Sequence, residues 1–238
     1  MGFADLRQGI TLERCADSIR DPDFIRGVVY SLAVAFLHIV FSVLTITPAT
    51  YAFSRFSFGG KDSILLAYLV LSQVGRGFGV ASLIALYVLL LRINSAGIPV
   101  IGNPVVLALV YTSWAVPFQT WLIKNYFDSI PRELDEAAFL DGASWRDLVF
   151  RVILPASKPA ITVIALFSFM GAWGEFIVAS FLKVPTLAVY IYQTATGQTI
   201  FWGDFAARTL LYSIPIIVLF VVSQRYIGEA LRYGAGKM

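Results

Sequence analysis

Residues 133–159 read ELDEAAFLDGASWRDLVFRVILPASKP, the longest charged interval between apolar runs in the chain. Pro131 suits a first helical turn, and Glu133, Asp135 and Glu136 place negative charge at the positive end of the helix that follows. Leu134, Ala137, Ala138 and Asp141 fall at i, i+3, i+4, i+7 spacing, giving one face with small residues at its centre. Such a face lets another surface approach closely. Gly142 stands where a left-handed helix cap is wanted, at little steric cost for a residue without Cβ. Ser144 and Asp147 have the spacing of a capping box that restarts a helix, and Leu154-Pro155 closes it. The interval is expected to fold as a helix, a sharp glycine turn and a second helix between two hydrophobic segments. It is a docking element.

Outward from this interval the chain is apolar. Hydrophobic residues make up 58% and charged residues 14% of its 238 residues, which defines an integral membrane protein. Five stretches (27–53, 63–91, 104–123, 159–181 and 205–222) exceed or approach the ~20 residues a helix needs to cross the hydrocarbon core. Spanning segments must satisfy their own backbone polar groups, so the expected fold class is all-α, a polytopic bundle with five visible transmembrane helices. The net charge of +3 is too small to argue for nucleic acid. Cys15 is the only cysteine and His38 the only histidine, so no metal site and no catalytic dyad is expected. His38 is read as a hydrogen-bonding residue between helices rather than part of a pathway. Residues 1–26 lack the apolar core of a signal peptide and contain a short amphipathic helix near 12–19.

Topology follows from the basic residues. Arg55, Lys61, Lys124, Arg132, Arg146, Arg151, Lys158, Arg225, Arg232 and Lys237 fall on one side, ten of the chain's eighteen Lys and Arg. Arg7, Arg14, Arg20, Arg26, Arg92 and Lys183 fall on the other. The positive-inside rule then places the loop 125–158 and the tail 228–238 in the cytoplasm. Residues 1–26 and the loop 182–204 fall outside, and 27–227 form the transmembrane domain.

Two charges lie deep in the apolar stretches. Arg76, next to Gln73 and among Gly75, Gly77 and Gly79, interrupts the second stretch, and Glu175 follows Trp173 in the fourth. Charges at that depth face a water-filled cavity or each other, and broken helices near the midplane recur at transporter sites. Gln73, Arg76, Trp173 and Glu175 are candidate translocation-path residues, and an Arg76–Glu175 ion pair is one arrangement. The competing arrangement is a glycine-rich kink with structural packing. Thr45, Thr47 and Pro48 suggest a bent end to the first helix, Tyr51 to Arg55 with Phe58 to Lys61 a tight basic turn, and Pro215 a kink in the last helix.

Glu136-Ala137-Ala138, then Gly142, Val152 and Leu154-Pro155 at fixed spacing, resemble the EAA loop of ABC-importer permeases, with Val152 where isoleucine is usual. Tyr126-Phe127 and Trp202-Gly203-Asp204-Phe205-Ala206-Ala207 narrow the resemblance to the MalG type, the smaller permease subunit of maltose-type sugar importers. The resemblance implies that Glu136, Ala137, Ala138, Asp141, Gly142, Leu154 and Pro155 couple the chain to a cytoplasmic ATPase dimer, which binds the ATP and Mg. It also implies a second, MalF-like permease and an extracytoplasmic sugar-binding protein as partners. Thr194, Ala195, Thr196, Gly197 and Gln198 then form the tip that contacts the binding protein. No phosphate-binding loop of the G-x-x-x-x-G-K-[ST] type occurs, so the chain itself is expected to hold no cofactor and to be no enzyme. The family has six helices; the first is absent here. A late start, a trimmed chain or a five-helix protein each explain that, and the match of the remainder favours a missing piece. Substrates of the maltose, maltodextrin or trehalose class are implied, with a non-sugar solute such as glycerol 3-phosphate as the rival.

Overall fold

The computed structural model describes residues 12–77, 79–197 and 202–235. Regular structure among the described residues is helical throughout. Helix α1 is Leu12–Arg20, and α2 is Pro22–Arg55. Asp21 caps α2, its Oδ1 accepting from the Asp23 backbone N–H at 3.0 Å, and Pro22 occupies the first turn, where no N–H is needed. The bent end expected at Pro48 does not terminate the helix. Ile46, Thr47, Thr50 and Tyr51 are all buried, so packing on both sides of the proline outweighs the one lost backbone bond. Tyr51 to Arg55 are therefore the last turns of α2 rather than part of a turn. Reversal follows at residues 56–60, where Gly60 has φ 76°.

The second apolar stretch is interrupted, as its glycines predict. Helix α3, Lys61–Gly77, and α4, Val80–Ser95, are separate, and Gly79 between them has φ 53°. Helix α5 is Pro104–Ser129 and α6 is Glu133–Leu140. Helix α7, Trp145–Ala156, meets α8, Lys158–Gly174, at 80°. A short α9, Ile177–Phe181, and α10, Leu187–Thr196, precede the long α11, Trp202–Ala235. The stretch expected as an external loop thus contains a helix of its own, started by Thr186 Oγ1 accepting from Val189 N–H at 3.4 Å. Pro215 lies inside α11, which runs on into the expected tail. Among the described residues three helices are long and apolar enough to cross a membrane, or four if the bent pair α7–α8 is one span, against the five stretches expected from the sequence. The chain is a polytopic all-α membrane protein.

Two compact units divide the chain. The first comprises the chain up to His38, Val80–Val110 and Phe169–Val221. Trp173, 1% exposed, is stacked between Phe169 and Tyr212, with ring centroids at 5.2 and 5.7 Å. Its Nε1 donates to the Tyr212 carbonyl at 3.1 Å, and the Tyr212 hydroxyl donates to the Trp173 carbonyl at 2.7 Å. Gly27 lets α2 touch α10: a Cβ there would lie 3.1 Å from the Leu187 Cα, and Leu187 N–H donates to Ser31 Oγ at 2.8 Å.

The second unit comprises Ile39–Gly79, Tyr111–Ser168 and Val222–Met238. Its core joins Ile46 and Tyr51 of α2, Ile123 and Phe127 of α5, Leu148 and Ile153 of α7, and Ala160, Val163 and Ile164 of α8. Ala138 is the α6 residue packed against its edge. This core carries the interval from which the sequence reading began.

Candidate coupling site

Local chemistry builds the helix–turn–helix of residues 133–156. Three carboxylates occupy the first turn of α6. At its end Ala143 N–H donates to the Ala138 carbonyl at 2.9 Å and Gly142 N–H to the Phe139 carbonyl at 3.0 Å. That pair of bonds is a Schellman closure, which needs a left-handed residue, and Gly142 supplies it at φ 80°. Helix α7 then restarts on the expected capping box: Ser144 Oγ accepts from Asp147 N–H at 3.3 Å, and Asp147 Oδ2 accepts from Ser144 N–H at 3.3 Å. Leu148–Ile153 form a π-helical stretch, with Leu154 N–H donating to the Val149 carbonyl five residues back. Pro155 follows directly. Lacking an N–H, and with a ring that crowds the carbonyl four residues before it, proline is ill suited to a continued α ladder. Tyr126 donates to the Ala156 carbonyl at 3.1 Å and fixes the end of α7.

The face formed by Leu134, Ala137, Ala138 and Asp141 is mostly open. Leu134 is 41% and Leu140 88% exposed; Glu136, Ala137, Asp141 and Gly142 are exposed as well. Phe139 and Trp145 pack edge to face at 5.0 Å across the glycine turn, and Phe56 meets the same indole at 6.2 Å. Leu154 is half-buried and Pro155 exposed. All seven predicted coupling residues thus lie in one continuous helix–turn–helix.

Asp135 is the exception, the buried residue of α6. Its Oδ2 lies 2.7 Å from Arg55 Nε and accepts from the Tyr51 hydroxyl at 3.4 Å. Arg55 Nη2 also donates to the Ile130 carbonyl at 3.0 Å. Beside it Ser54 Oγ donates to Asp128 Oδ1 at 2.7 Å, and Lys124 pairs with Asp128 Oδ2 at 2.7 Å. Sequence reading missed this cluster, because Asp135 served there only as a helix-terminal charge. Its one available signal was a basic residue at the end of an apolar span.

In the first unit Asp21 plays a comparable part. Its Oδ2 accepts from the Tyr190 hydroxyl and from Arg208 Nη2, the latter at 3.2 Å. Burial pushes the Asp21 carboxyl up, but the Tyr190 and Asp23 hydrogen bonds and the Arg208 charge outweigh it and hold it below its usual range. Burial and donation to Asp21 push the Tyr190 phenol up. A cavity of about 490 Å³ is lined by Asp23, Arg26, Lys183, Tyr190, Gln193 and Thr194, among others.

The remaining candidates are dispersed. Trp173 is enclosed by its aromatic neighbours. Glu175 accepts from the N–H groups of Val178 at 2.9 Å and Ala179 at 3.3 Å, so the break after α8 gives this charge backbone donors. Gln73 is exposed; the side chain of Arg76, and with it an Arg76–Glu175 pair, lies outside the described residues. Thr194 and Thr196 bond back to the Ile191 and Tyr192 carbonyls of their own helix at 2.7 and 3.0 Å, with Ala195 between them half-buried. Gly197 is exposed, and Gln198 lies outside the described residues. His38 is buried at 2% exposure.

The class of protein to which this fold and loop belong follows from the match of the chain to a family of transport-system membrane components. Residues 23–233 match the family model for the binding-protein-dependent transport system inner membrane component, and the chain belongs to that family. It is 35% identical over 219 residues to the galactooligosaccharide transport permease GanQ of Bacillus subtilis, covering 90% of this chain and 75% of that one. To the maltose/maltodextrin permease MalG of Escherichia coli K12 it is 34% identical over 241 residues, covering 98% and 79%. The maltodextrin permease MdxG of Bacillus subtilis is 34% identical over 212 residues, covering 87% and 73%. A bacterial ABC transporter that imports the acidic polysaccharide alginate shares the fold, with a TM-score of 0.69 at 20% identity over 90% of this chain and 79% of that one. The MetNI methionine transporter does so at 0.59 and 20%, over 87% and 95%.

Proposed function

We propose that the chain is a permease subunit of an ATP-driven importer of oligosaccharides of the maltodextrin or galactooligosaccharide class. It works with a second permease, a cytoplasmic ATPase dimer and an extracytoplasmic binding protein. One observation carries this reading: relatives at 34–35% identity over most of both chains are permeases of such sugars. In this reading α6, α7 and the tail lie in the cytoplasm and α10 faces the binding protein. ATP binding closes the ATPase dimer, the helix–turn–helix moves as a rigid body, and the bundle passes from inward- to outward-facing. The exposed face of α6 supports the docking role, since a mostly uncovered helix contributes little to the chain's own core.

Affinity purification from native membranes, followed by identification of the bound proteins and of the sugar on the binding protein, tests the whole assignment. Recovery of a second permease, an ATPase and a sugar-loaded binding protein is expected. An ATPase-free preparation would end the importer reading, and a binding protein loaded with a non-sugar solute would end the sugar assignment. Within the coupling surface, Glu136→Lys is expected to insert normally yet lower uptake at least about fivefold, the scale of a typical coupling energy. Normal uptake by that variant would remove Glu136 from the docking surface.

A further inference from the structure

We infer that Arg55 and Asp135 form a positioning latch that makes α6 and the end of α2 move as one piece, delivering displacement of the coupling surface to the first apolar span. The inference rests on the reading of α6 as the ATPase-docking helix and adds the residues that carry its motion onward.

Helix α6 is held to α7 by its packing on the π-helical stretch and by Phe139 against Trp145, and to α2 by a buried charge pair. Its outer residues are exposed and Ala138 only touches the core, so its buried residue is an aspartate. That aspartate pairs with an arginine on the last turn of α2, at 2.7 Å and with side chains only 7% and 12% exposed. The same guanidinium donates to the Ile130 carbonyl, so one rigid planar group joins α2 to the start of α6 and to the segment that enters it. Asp135 Oδ1 and Arg55 Nε are both buried without a hydrogen-bond partner among the described residues, so the 2.7 Å contact is a pairing of charges while the guanidinium's hydrogen bond goes to Ile130. An ion pair compensated this incompletely is a poor device for stability alone, since apolar side chains of similar volume often serve a fold as well or better. What the pair adds is direction and register: it is strong only with both groups in place. One residue away Ser54–Asp128 ties α2 to the end of α5 as well, which fixes the base from which α6 starts. A push on α6 therefore meets α2 through a short, buried charge contact.

The test uses the complex of this chain with its copurified partners in proteoliposomes, measuring ATP hydrolysis and uptake of labelled maltotriose and galactotriose together. Arg55→Met with Asp135→Leu removes both charges and is expected to assemble and hydrolyse ATP, while sugar moved per ATP falls at least about fivefold. Exchanging the pair, Arg55→Asp with Asp135→Arg, is expected to recover part of that loss. Arg55→Lys keeps the charge but not the fork, and is expected to fold and to couple less well than the parent. Parental coupling in the doubly neutral protein makes the pair a packing contact and overturns the latch. So does an exchange that couples no better than the neutral pair, or, should the double variants fail to assemble, parental coupling in Arg55→Lys. Absence of ATP-driven uptake by the parent complex is the separate result that removes the importer reading, and the latch falls with it.

Discussion

Two aspartates in this chain each take an arginine and a tyrosine hydroxyl on the same oxygen, yet they sit in different surroundings. Asp21 and Arg208 keep 27% and 20% of their side chains exposed; Asp135 and Arg55 keep 12% and 7%. Asp21 uses both oxygens, since Oδ1 also caps α2. Asp135 leaves Oδ1 without a hydrogen-bond partner among the described residues. One carboxylate is wetter and has both oxygens engaged, the other is drier with one engaged, and each arginine leaves its Nε without a hydrogen-bond partner among the described residues. Identical chemistry thus gives a modest stabilising contact in one place and a stiff, exacting one in the other. Burial decides which, because it sets the cost of leaving a charge alone.

The largest difference between the two trios is expected at Asp135. Asp135→Ala strands the Arg55 charge and is expected to cost about 3–5 kcal/mol, read as lost thermal stability of the purified protein in detergent. Asp21→Asn removes only a partly exposed pairing and is expected to cost no more than about 1 kcal/mol by the same measurement. Equal losses from the two would mean that burial does not separate the trios. Between them falls Gly142→Ala. A Cβ at Gly142 meets nothing within 4 Å, so the expected loss, about 1–2 kcal/mol, comes from handedness of the backbone alone. Gly142→Asn, which tolerates a left-handed backbone better, should lose less despite its larger side chain. The smallest effect is a pH dependence at Asp21. Its folded carboxyl titrates below the unfolded value of about 3.9, so its contribution is complete above that pH and disappears as pH falls through the lower folded value. The stability difference between the parent and Asp21→Asn should be flat from pH 8 to about 5 and shrink as the pH falls below the unfolded value of about 3.9. A difference that shrank on raising the pH would contradict the assignment.

Local patterns were legible in the sequence, and long-range pairings were not. Gly142 and the Ser144–Asp147 box could be read because a helix cap involves residues three or four apart. The break at Gly77–Gly79 could be read for the same reason. By contrast Asp135 and Arg55 lie in different helices, and Arg208 stands 187 residues from Asp21. Composition offers many acids for each base and does not choose among them. Glu175 adds backbone partners that the sequence did not suggest, the N–H groups of Val178 and Ala179 at a helix break. Helix α10 lies inside the segment 182–204 expected as an external loop, and Thr186 starts it as a helix cap.

The π-helical stretch Leu148–Ile153 gives a meaning to the fixed number of residues between Gly142 and Leu154-Pro155. Each π bond closes over one residue more than an α bond, so this segment carries surplus chain. In a segment already α-helical, removing one residue would turn everything beyond it by about 100°. Here the wide turn absorbs the extra residue, so its removal would close the ladder as an ordinary α-helix and leave the flanks close to their present directions. The docking turn can thus face outward while Ile153 stays in the core, with one residue more than an α ladder would need.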